Sequence, residues 1–179
     1  LDLKMSNFHY LASTFSERKM VTLLNRYYFY AGKVSQLYNG SVSYCSDDEV
    51  LINFTTTKFA EEQAFYAICA AQLFLQLIGD INGIGEESVN AKFKLAVHSG
   101  KTVSGLYSPI TQDTDNLTGK TIDLTREICN ACPNNSLLIS ENAFEHAGAR
   151  NRIEANEYGE VGDHEQIRTY ISLEPMFEY

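Results

Sequence analysis

The sequence predicts an α+β fold of the ferredoxin-like type, in which helices pack on one face of a mainly antiparallel sheet. The first observation is the order of periodic segments, β α β β α β β α β α β β, which contains two β-α-β units with hairpins between them. The second is the length of 179 residues, which suits one domain over 1–179. The third is a 44% hydrophobic and 21% charged composition, typical of a globular chain rather than a disordered one.

The N-terminal half contains the clearest periodicity. Residues 1–5 alternate apolar and polar side chains, as a half-buried strand does. Ser16 has the character of a helix N-cap, and the apolar residues that follow it predict an amphipathic helix over 17–38, ended by Asn39-Gly40. The remaining elements predicted for this half are strands over 41–46 and 49–54, a helix over 60–79 and a loop over 80–90.

The C-terminal half begins with strict alternation over 92–98, which predicts a strand. Pro133 ends the next helix, since proline and the residue before it do not continue a helix. The elements predicted after 98 are a strand over 101–107, a polar loop over 108–118, a helix over 119–131, a strand over 137–140, a helix over 141–147 capped by Ser140, and strands over 151–157 and 166–173 joined at Tyr158-Gly159 and Gly162-Asp163.

The charge and apolar pattern limit the partners. A net charge of −9 repels phosphate backbones, which disfavours nucleic acid but leaves a local nucleotide pocket possible. No apolar run reaches the ~18 residues that span a bilayer. Reduced cysteines and the lack of a signal peptide predict a cytoplasmic domain. Because the chain starts at Leu1 within an apolar segment, we expect a piece of a longer protein, whose upstream part could include a membrane segment.

Hydrolase and zinc-enzyme motifs are absent from the sequence. There is no G-x-x-x-x-G-K-[ST], H-E-x-x-H or G-x-S-x-G, and the four histidines lack metal-ligand spacing. Cys129 and Cys132 form a lone C-x-x-C, interpreted as two half-buried helix residues. Asp47-Asp48 lies at the turn of a predicted hairpin, where it either holds Mg²⁺ with a carboxylate from a neighbouring strand or is simply solvated.

Several segments resemble, in order and spacing, the class III nucleotidyl cyclase homology domain of adenylate and guanylate cyclases. The segments are Gly40 to Phe54 with Asp47-Asp48 between them, Ala96-Val97-His98-Ser99-Gly100 followed by Gly105, Thr118 to Glu127, and Leu138-Ile139-Ser140-Glu141. The resemblance covers nearly the whole chain and implies the cyclase fold. It also places Asp48 at a metal-binding aspartate of the family, where Mg²⁺ or Mn²⁺ would bind if the domain were active.

The family's other catalytic positions carry different residues here. Lys4 stands where the resemblance implies the first metal-binding aspartate, and an ammonium cannot ligate Mg²⁺. Asp123 and Glu127 stand at the positions of the transition-state asparagine and arginine, and Glu127 has the wrong sign to neutralise a transferring phosphoryl group. The adjacent Arg126 is turned by about 100° on the helix. The resemblance implies that Lys94 and Asn116 read the base, although Lys94 is also compatible with a solvent-facing strand lysine.

These departures predict a pseudoenzyme: a catalytically inactive, cyclase-like domain that serves as a regulatory, dimerisation or ligand-sensing module in signal transduction. Two alternatives remain open, an active class III cyclase that makes cyclic AMP or cyclic GMP, and a module that binds nucleotide without turnover. Family members work as dimers, so the resemblance implies a homodimer or a heterodimer with another cyclase-like domain. We also expect Lys4 to pair with Asp48 across adjacent strands in place of Mg²⁺, with weak nucleotide affinity as the result.

Overall fold

A seven-stranded sheet and six helices form the architecture. The computed structural model describes residues 1–55, 59–107, 114–148 and 152–173. The strands are β1 (Asp2–Met5), β2 (Ser41–Cys45), β3 (Glu49–Asn53), β4 (Phe93–Val97), β5 (Val103–Tyr107), β6 (Thr114–Thr118), β7 (Ser136–Ser140), β8 (Ala155–Val161) and β9 (Ile167–Ser172). The helices are α1 (Phe8–Thr14), α2 (Glu17–Leu37), α3 (Ala60–Gln76), α4 (Ile78–Asn82), α5 (Lys120–Ala131) and α6 (Glu141–His146), with a 3₁₀ turn at Gly85–Glu87.

The large sheet has the strand order β2-β3-β1-β4-β7-β9-β8, and β5 and β6 form a separate ribbon. Every pairing in the large sheet is antiparallel except that of β4 with β7. Strand β1 lies between β3 and β4, so Lys4 is opposite Glu49 on one side and Lys94 on the other. Since paired residues point to the same face of a sheet, these three side chains form one row.

Helices α2 and α3 pack on one face of the sheet, as the sequence predicts. Tyr27, Phe74 and Phe93 meet there with ring centroids 5.1–6.0 Å apart, and all three side chains are fully buried. The Tyr27 hydroxyl donates a hydrogen bond to the Leu3 carbonyl at 2.8 Å, which fixes α2 against β1. The predicted mixed α+β, cyclase-like fold is therefore confirmed.

Helix α5 covers the other face of the central strands. Its Ile128 and Cys129 pack with Ala96 and Leu138, which alternate along β4 and β7 with the residues that face α2 and α3. The packing brings the polar edge of α5 over the row that contains Lys4. A helix over one part of this second face therefore positions the candidate site.

The structure departs from the predicted elements in four places. Helix α1 was not predicted, because seven residues are too few to show a helical period. The predicted helix over 60–79 is interrupted at Leu77. Within the predicted loop over 108–118, the part from Thr114 onward is strand β6, while 108–113 lies outside the described residues. Strand β8 runs through the predicted turn at Tyr158-Gly159, which it accommodates with a bulge at Gly159, φ 132°.

The described helices include none that is long and apolar enough to span a bilayer.

Candidate functional site

The candidate site lies between the β1 row and helix α5, on the face that α5 covers. Lys4 is directly opposite Glu49 and Lys94, and Arg126 and Asn130 reach the same area from α5. We call this group of five residues the β1–α5 site. It contains Lys4 and Lys94, two of the residues that the sequence singled out, and its geometry shows how each is used.

Lys4 contacts α5 rather than the hairpin turn. Its Nζ donates to the Oδ1 of Asn130 at 3.0 Å, and it forms no ion pair with Asp48. The predicted Lys4–Asp48 pair is therefore wrong. The physical reason is the register, because the residue across from Lys4 is Glu49, whereas Asp48 follows the turn and its backbone carbonyl accepts from the Met5 amide at 2.7 Å.

Arg126 is held by Glu49 in a two-point contact. Its Nε lies 2.7 Å from Oε1 of Glu49 and its Nη2 lies 3.2 Å from Oε2, and the guanidinium also sits 5.4 Å from the ring centre of Tyr44. This contact raises the pKa of Arg126, chiefly through the hydrogen bonds that it donates to Glu49. A forked guanidinium–carboxylate pair is stronger and more specific in geometry than a single hydrogen bond. Arg126 is thus committed to joining α5 to β3 and is not free to replace the family's arginine.

Glu127 faces the β8–β9 loop instead of a substrate. One of its oxygens accepts from the Asp163 amide at 2.9 Å, and the other lies 2.7 Å from Nδ1 of His164. These hydrogen bonds, with that to His164 the largest cause, hold the pKa of Glu127 below its usual value. The same pair raises the pKa of His164. Glu127, which the resemblance places at the family's arginine position, is thus a carboxylate that anchors a loop, while Asp123 is exposed on the first turn of α5.

Asp2 is a carboxyl buried beneath α5. It is fully buried, and neither of its side-chain oxygens has a hydrogen-bond partner. Burial, followed by the nearby Glu49 carboxylate, raises the pKa of Asp2 to about 7.

Cys129 lies on α5, and its thiol donates a hydrogen bond to the Lys94 carbonyl at 3.2 Å. Burial raises the pKa of this thiol well above the usual value. Both cysteines of the C-x-x-C are fully buried instead of half-buried as predicted, and Cys132 is the C-cap that follows α5, not a helix residue.

The residues present do not fit a family-type divalent cation. Asp48 accepts a hydrogen bond from the Ser46 hydroxyl at 3.5 Å, and Lys4 stands where the resemblance to cyclases implies the other metal-binding carboxylate. The described residues contain no group of three or more histidines, cysteines or acidic residues able to bind a metal. Glu49, the carboxylate nearest to Lys4 in the sheet, is already paired with Arg126. We therefore derive no step through a metal ion.

The two predicted base-reading residues have different environments. Lys94 is half-buried, and its Nζ donates to the Asn130 carbonyl at 2.9 Å, near the C-terminus of α5. Asn116 lies in β6 opposite Gly105, and the structure describes its backbone alone. Their joint use in reading a base stays a prediction.

The His98–Gly100 motif has a packing explanation. A side chain at position 100 would come within 2.6 Å of the Thr121 hydroxyl on the first turn of α5, so only glycine fits there. His98 shares a hydrogen bond of 2.9 Å with Ser140, and burial lowers its pKa to about 4. The motif therefore closes β4 against α5 and α6, with a neutral imidazole.

Two residues of the β1–α5 site, Glu49 and Asn130, were not predicted from the sequence, and neither was His164, the partner of Glu127. Glu49, Asn130 and His164 are ordinary polar residues in their own segments. The hairpin register would have placed Glu49 beside Lys4, but no local signal pairs Asn130 with β1 or His164 with α5.

Comparison with known proteins shows the fold. No family model and no curated protein matches the sequence. The adenylyl cyclase CyaB from P. aeruginosa is similar in structure, with a TM-score of 0.84, 16% identity and coverage of 99% of this chain and 94% of that chain. The guanylate cyclase domain of RhGC from Catenaria anguillulae in complex with GTP has a TM-score of 0.80, 16% identity and coverages of 97% and 93%.

A non-canonical dimeric guanylyl cyclase domain of the RhoGC fusion protein from Blastocladiella emersonii is similar to the same degree. Its TM-score is 0.80 at 17% identity, with coverages of 97% and 93%. The chain therefore has the fold of adenylyl and guanylyl cyclase domains.

Proposed function

We propose that this chain is a cyclase-like signalling domain without nucleotidyl cyclase activity, which acts as a regulatory, dimerisation or ligand-sensing module. One observation carries the proposal. The residues at three positions where cyclases need catalytic groups are unsuitable, and two of them are tied into contacts within the chain. Lys4 binds Asn130, Glu127 holds the loop at Asp163 and His164, and Asp123 is exposed.

The chemistry of cyclisation explains why these contacts matter. Phosphoryl transfer needs positive charge at the transferring group, supplied by metal ions and basic side chains. Glu127 adds negative charge at that position, and the neighbouring Arg126 is neutralised by Glu49. An ammonium at position 4 repels a divalent cation instead of ligating it. Each difference alone would lower the rate of cyclisation. Together they remove both the binding of the metal ion and the positive charge that neutralises the transferring phosphoryl group.

The direct test is a turnover assay. Purified protein is incubated with ATP or GTP and Mn²⁺, and cyclic AMP and cyclic GMP are measured against a blank without protein. We expect no product above the blank. Metal-dependent turnover that is lost in Asp48→Asn would establish the active-cyclase alternative, in which Asp48 holds Mg²⁺ or Mn²⁺ and Lys94 reads the base.

We propose a dimer, either a homodimer or a heterodimer with another cyclase-like domain. The structural neighbour from Blastocladiella emersonii is described as dimeric, which supports the idea by likeness of fold. Of the aromatic and apolar residues near the first strand, Leu11 is buried and Phe8 and Phe15 pack against the core, so Tyr10, 67% exposed, is the one available for such a contact. Light scattering at increasing concentration tests the homodimer, and a mass that stays monomeric would argue against it.

The cellular location of the domain is also a proposal. We place the single domain, 1–179, in the cytoplasm, either free or as the cytoplasmic part of a membrane protein. The acidic surface and reduced cysteines support this setting. Fractionation of cells that express the full-length protein would test it.

A further inference from the structure

Lys4 and Lys94 form an unusual pair in the sheet. They are direct partners in the antiparallel register of β1 and β4, so their side chains leave the same face side by side. Like charges directly opposite each other destabilise a sheet. The remainder of the chain is acidic, with a net charge of −9, so this local excess of positive charge is not a general property of the surface.

The two ammonium groups converge on one neutral residue. Lys4 Nζ lies 3.0 Å from the side-chain oxygen of Asn130, and Lys94 Nζ lies 2.9 Å from its carbonyl oxygen. An ammonium has three donors, and each of these contacts uses one of them. Neither lysine forms an ion pair with any carboxylate that the structure describes. The ammonium groups of Lys4 and Lys94 are thus held close together, and each has N–H donors that these contacts do not use.

The carboxylates that surround the pair are otherwise engaged or buried. Glu49 faces Lys4 but uses both oxygens on Arg126. Asp2 is on the same face, fully buried, and its oxygens contact neither lysine. Asp48 accepts from the Ser46 hydroxyl and forms no ion pair with Lys4 or Lys94. None of these three carboxylates therefore contacts the lysine pair directly.

We propose that Lys4 and Lys94 bind a phosphate-bearing anion directly, without a divalent metal ion. A phosphate group offers several acceptor oxygens and at least one negative charge, which matches two ammonium groups with unused donors. The inference goes beyond the proposed function, since an inactive domain could bind such an anion or not. The rival explanation is purely structural: both lysines would only complement the carbonyl groups at the C-terminus of α5.

The test uses inorganic pyrophosphate as the probe, with EDTA present and ionic strength held constant with chloride. Isothermal titration calorimetry on the whole chain should show saturable binding, and the affinity should fall tenfold or more in Lys4→Gln and in Lys94→Gln. Lys33→Gln, which removes an exposed lysine of α2 that lies over the Phe29 ring, is the control for loss of one charge and should bind as the unmodified chain does. No binding, or equal affinity in all variants, would overturn the proposal.

A second variant separates anion binding from helix capping. Asn130→Asp places a carboxylate between the two lysines, so the chain supplies its own anion, and pyrophosphate affinity should fall tenfold or more while the protein stays folded. Undiminished pyrophosphate binding by this variant would contradict the proposed site.

Titrations with ATP and GTP in EDTA then distinguish a free phosphate compound from a nucleotide as the ligand. Affinity equal to that of pyrophosphate indicates recognition of the phosphates alone, and tighter binding indicates added contacts to the nucleoside. Because these titrations contain no metal and measure no turnover, their result is independent of the cyclase assay.

Discussion

At the scale of single residues, Asp2 has the most consequential environment. Its carboxyl is fully buried, without a hydrogen-bond partner, under a helix and next to Glu49. Burying a charge in such a place costs more than burying a neutral acid. Asp2 therefore takes up a proton in the folded protein at a pH where an exposed aspartate has lost it.

This environment predicts a stability that depends on pH. The pKa of Asp2 is raised from 3.8 to about 7, so the folded state binds the proton more tightly than the unfolded state. The free energy of unfolding should then decrease as the pH rises between these two values. Asp2→Asn, which cannot ionise, should be more stable than the unmodified chain at pH 8, by as much as about 4 kcal/mol, since one pKa unit corresponds to about 1.4 kcal/mol.

Urea denaturation at pH 4 and pH 8 checks this prediction. The two proteins should differ little at pH 4, because Asp2 is then protonated in the folded state and the pH is only slightly above its unfolded pKa of 3.8. A gain of equal size at both pH values would show that the substitution acts through packing instead of through ionisation.

Glu127 and His164 form a second pair with a pH-dependent effect. The raised pKa of His164 contributes stability that is complete below 6.5 and lost as the pH rises through the folded value. The lowered pKa of Glu127 contributes stability that is complete above 4.5 and lost as the pH falls through its folded value. The pair should therefore hold the β8–β9 loop best between pH 4.5 and 6.5.

Glu127→Gln tests this pair, because glutamine keeps the shape and removes the charge. The pKa of His164, followed by NMR, should fall toward its ordinary value of 6.5. The amide of Asp163 should exchange faster with solvent, since it loses a charged acceptor. An unchanged pKa of His164 in Glu127→Gln would contradict the pairing.

At the scale of elements, the predictable parts of the fold are those with a strong local signal. Helix α2 has 21 residues with a clear apolar stripe, and Ser16 accepts from the Lys19 amide as an N-cap should. The polar strand β6 has no such signal, because its pairing with β5 and not its own pattern makes it a strand. Local periodicity thus determines the long elements, while tertiary pairing determines the short ones.

The candidate site shows the same division. The prediction that positions 4, 123 and 127 are unsuitable for catalysis needs only residue type and the resemblance to cyclases. The sequence did not show that Lys4 turns to Asn130, or that Arg126 turns to Glu49, because both contacts depend on where α5 lies over the sheet.

The Arg126–Glu49 contact is the clearest energetic link between α5 and the hairpin. Arg126→Lys keeps the charge but loses the fork, and lysine is not equivalent at a two-point site. We expect a loss of about 1–2 kcal/mol in the free energy of unfolding, at or below the low end of the range of about 1.5–3 kcal/mol for hydrogen bonds to charged groups, because the Arg126 side chain is 39% exposed. The control is Arg18→Lys on the exposed first turn of α2, which should change stability little. An equal effect of both substitutions, measured by urea denaturation, would refute the link.

At the scale of the whole molecule, the chain has the fold of cyclase domains, and the proposed loss of their catalytic groups would leave that fold unchanged. The sheet order, the position of α5 and the hairpin with Asp48 need only apolar packing and turns. The catalytic positions contribute little to that packing: Lys4 is half-buried and Asp123 is exposed. Replacement of these residues therefore leaves the architecture intact.

This separation predicts the result of restoring one family residue. Lys4→Asp removes the ammonium and places a carboxylate on β1 opposite Glu49, next to the turn that contains Asp48. Oxygen ligands of this kind suit Mg²⁺ and Mn²⁺. We expect Mn²⁺ to bind to this variant and not to the unmodified chain, as detected by electron paramagnetic resonance of the free ion. The double variant Lys4→Asp/Asp48→Asn is the matched control and should lose the binding.

The same variant should still make no cyclic nucleotide, because Asp123 and Glu127 remain and Arg126 stays paired with Glu49. Metal binding and turnover are thereby separated in one protein. Cyclic product from Lys4→Asp alone would show that position 4 was the single obstacle, and that Glu127 does not block phosphoryl transfer. Absence of Mn²⁺ binding would show that Asp48 is not placed to share an ion with β1. The expected outcome, a bound ion without turnover, would place the loss of activity on α5 as well as on the first strand.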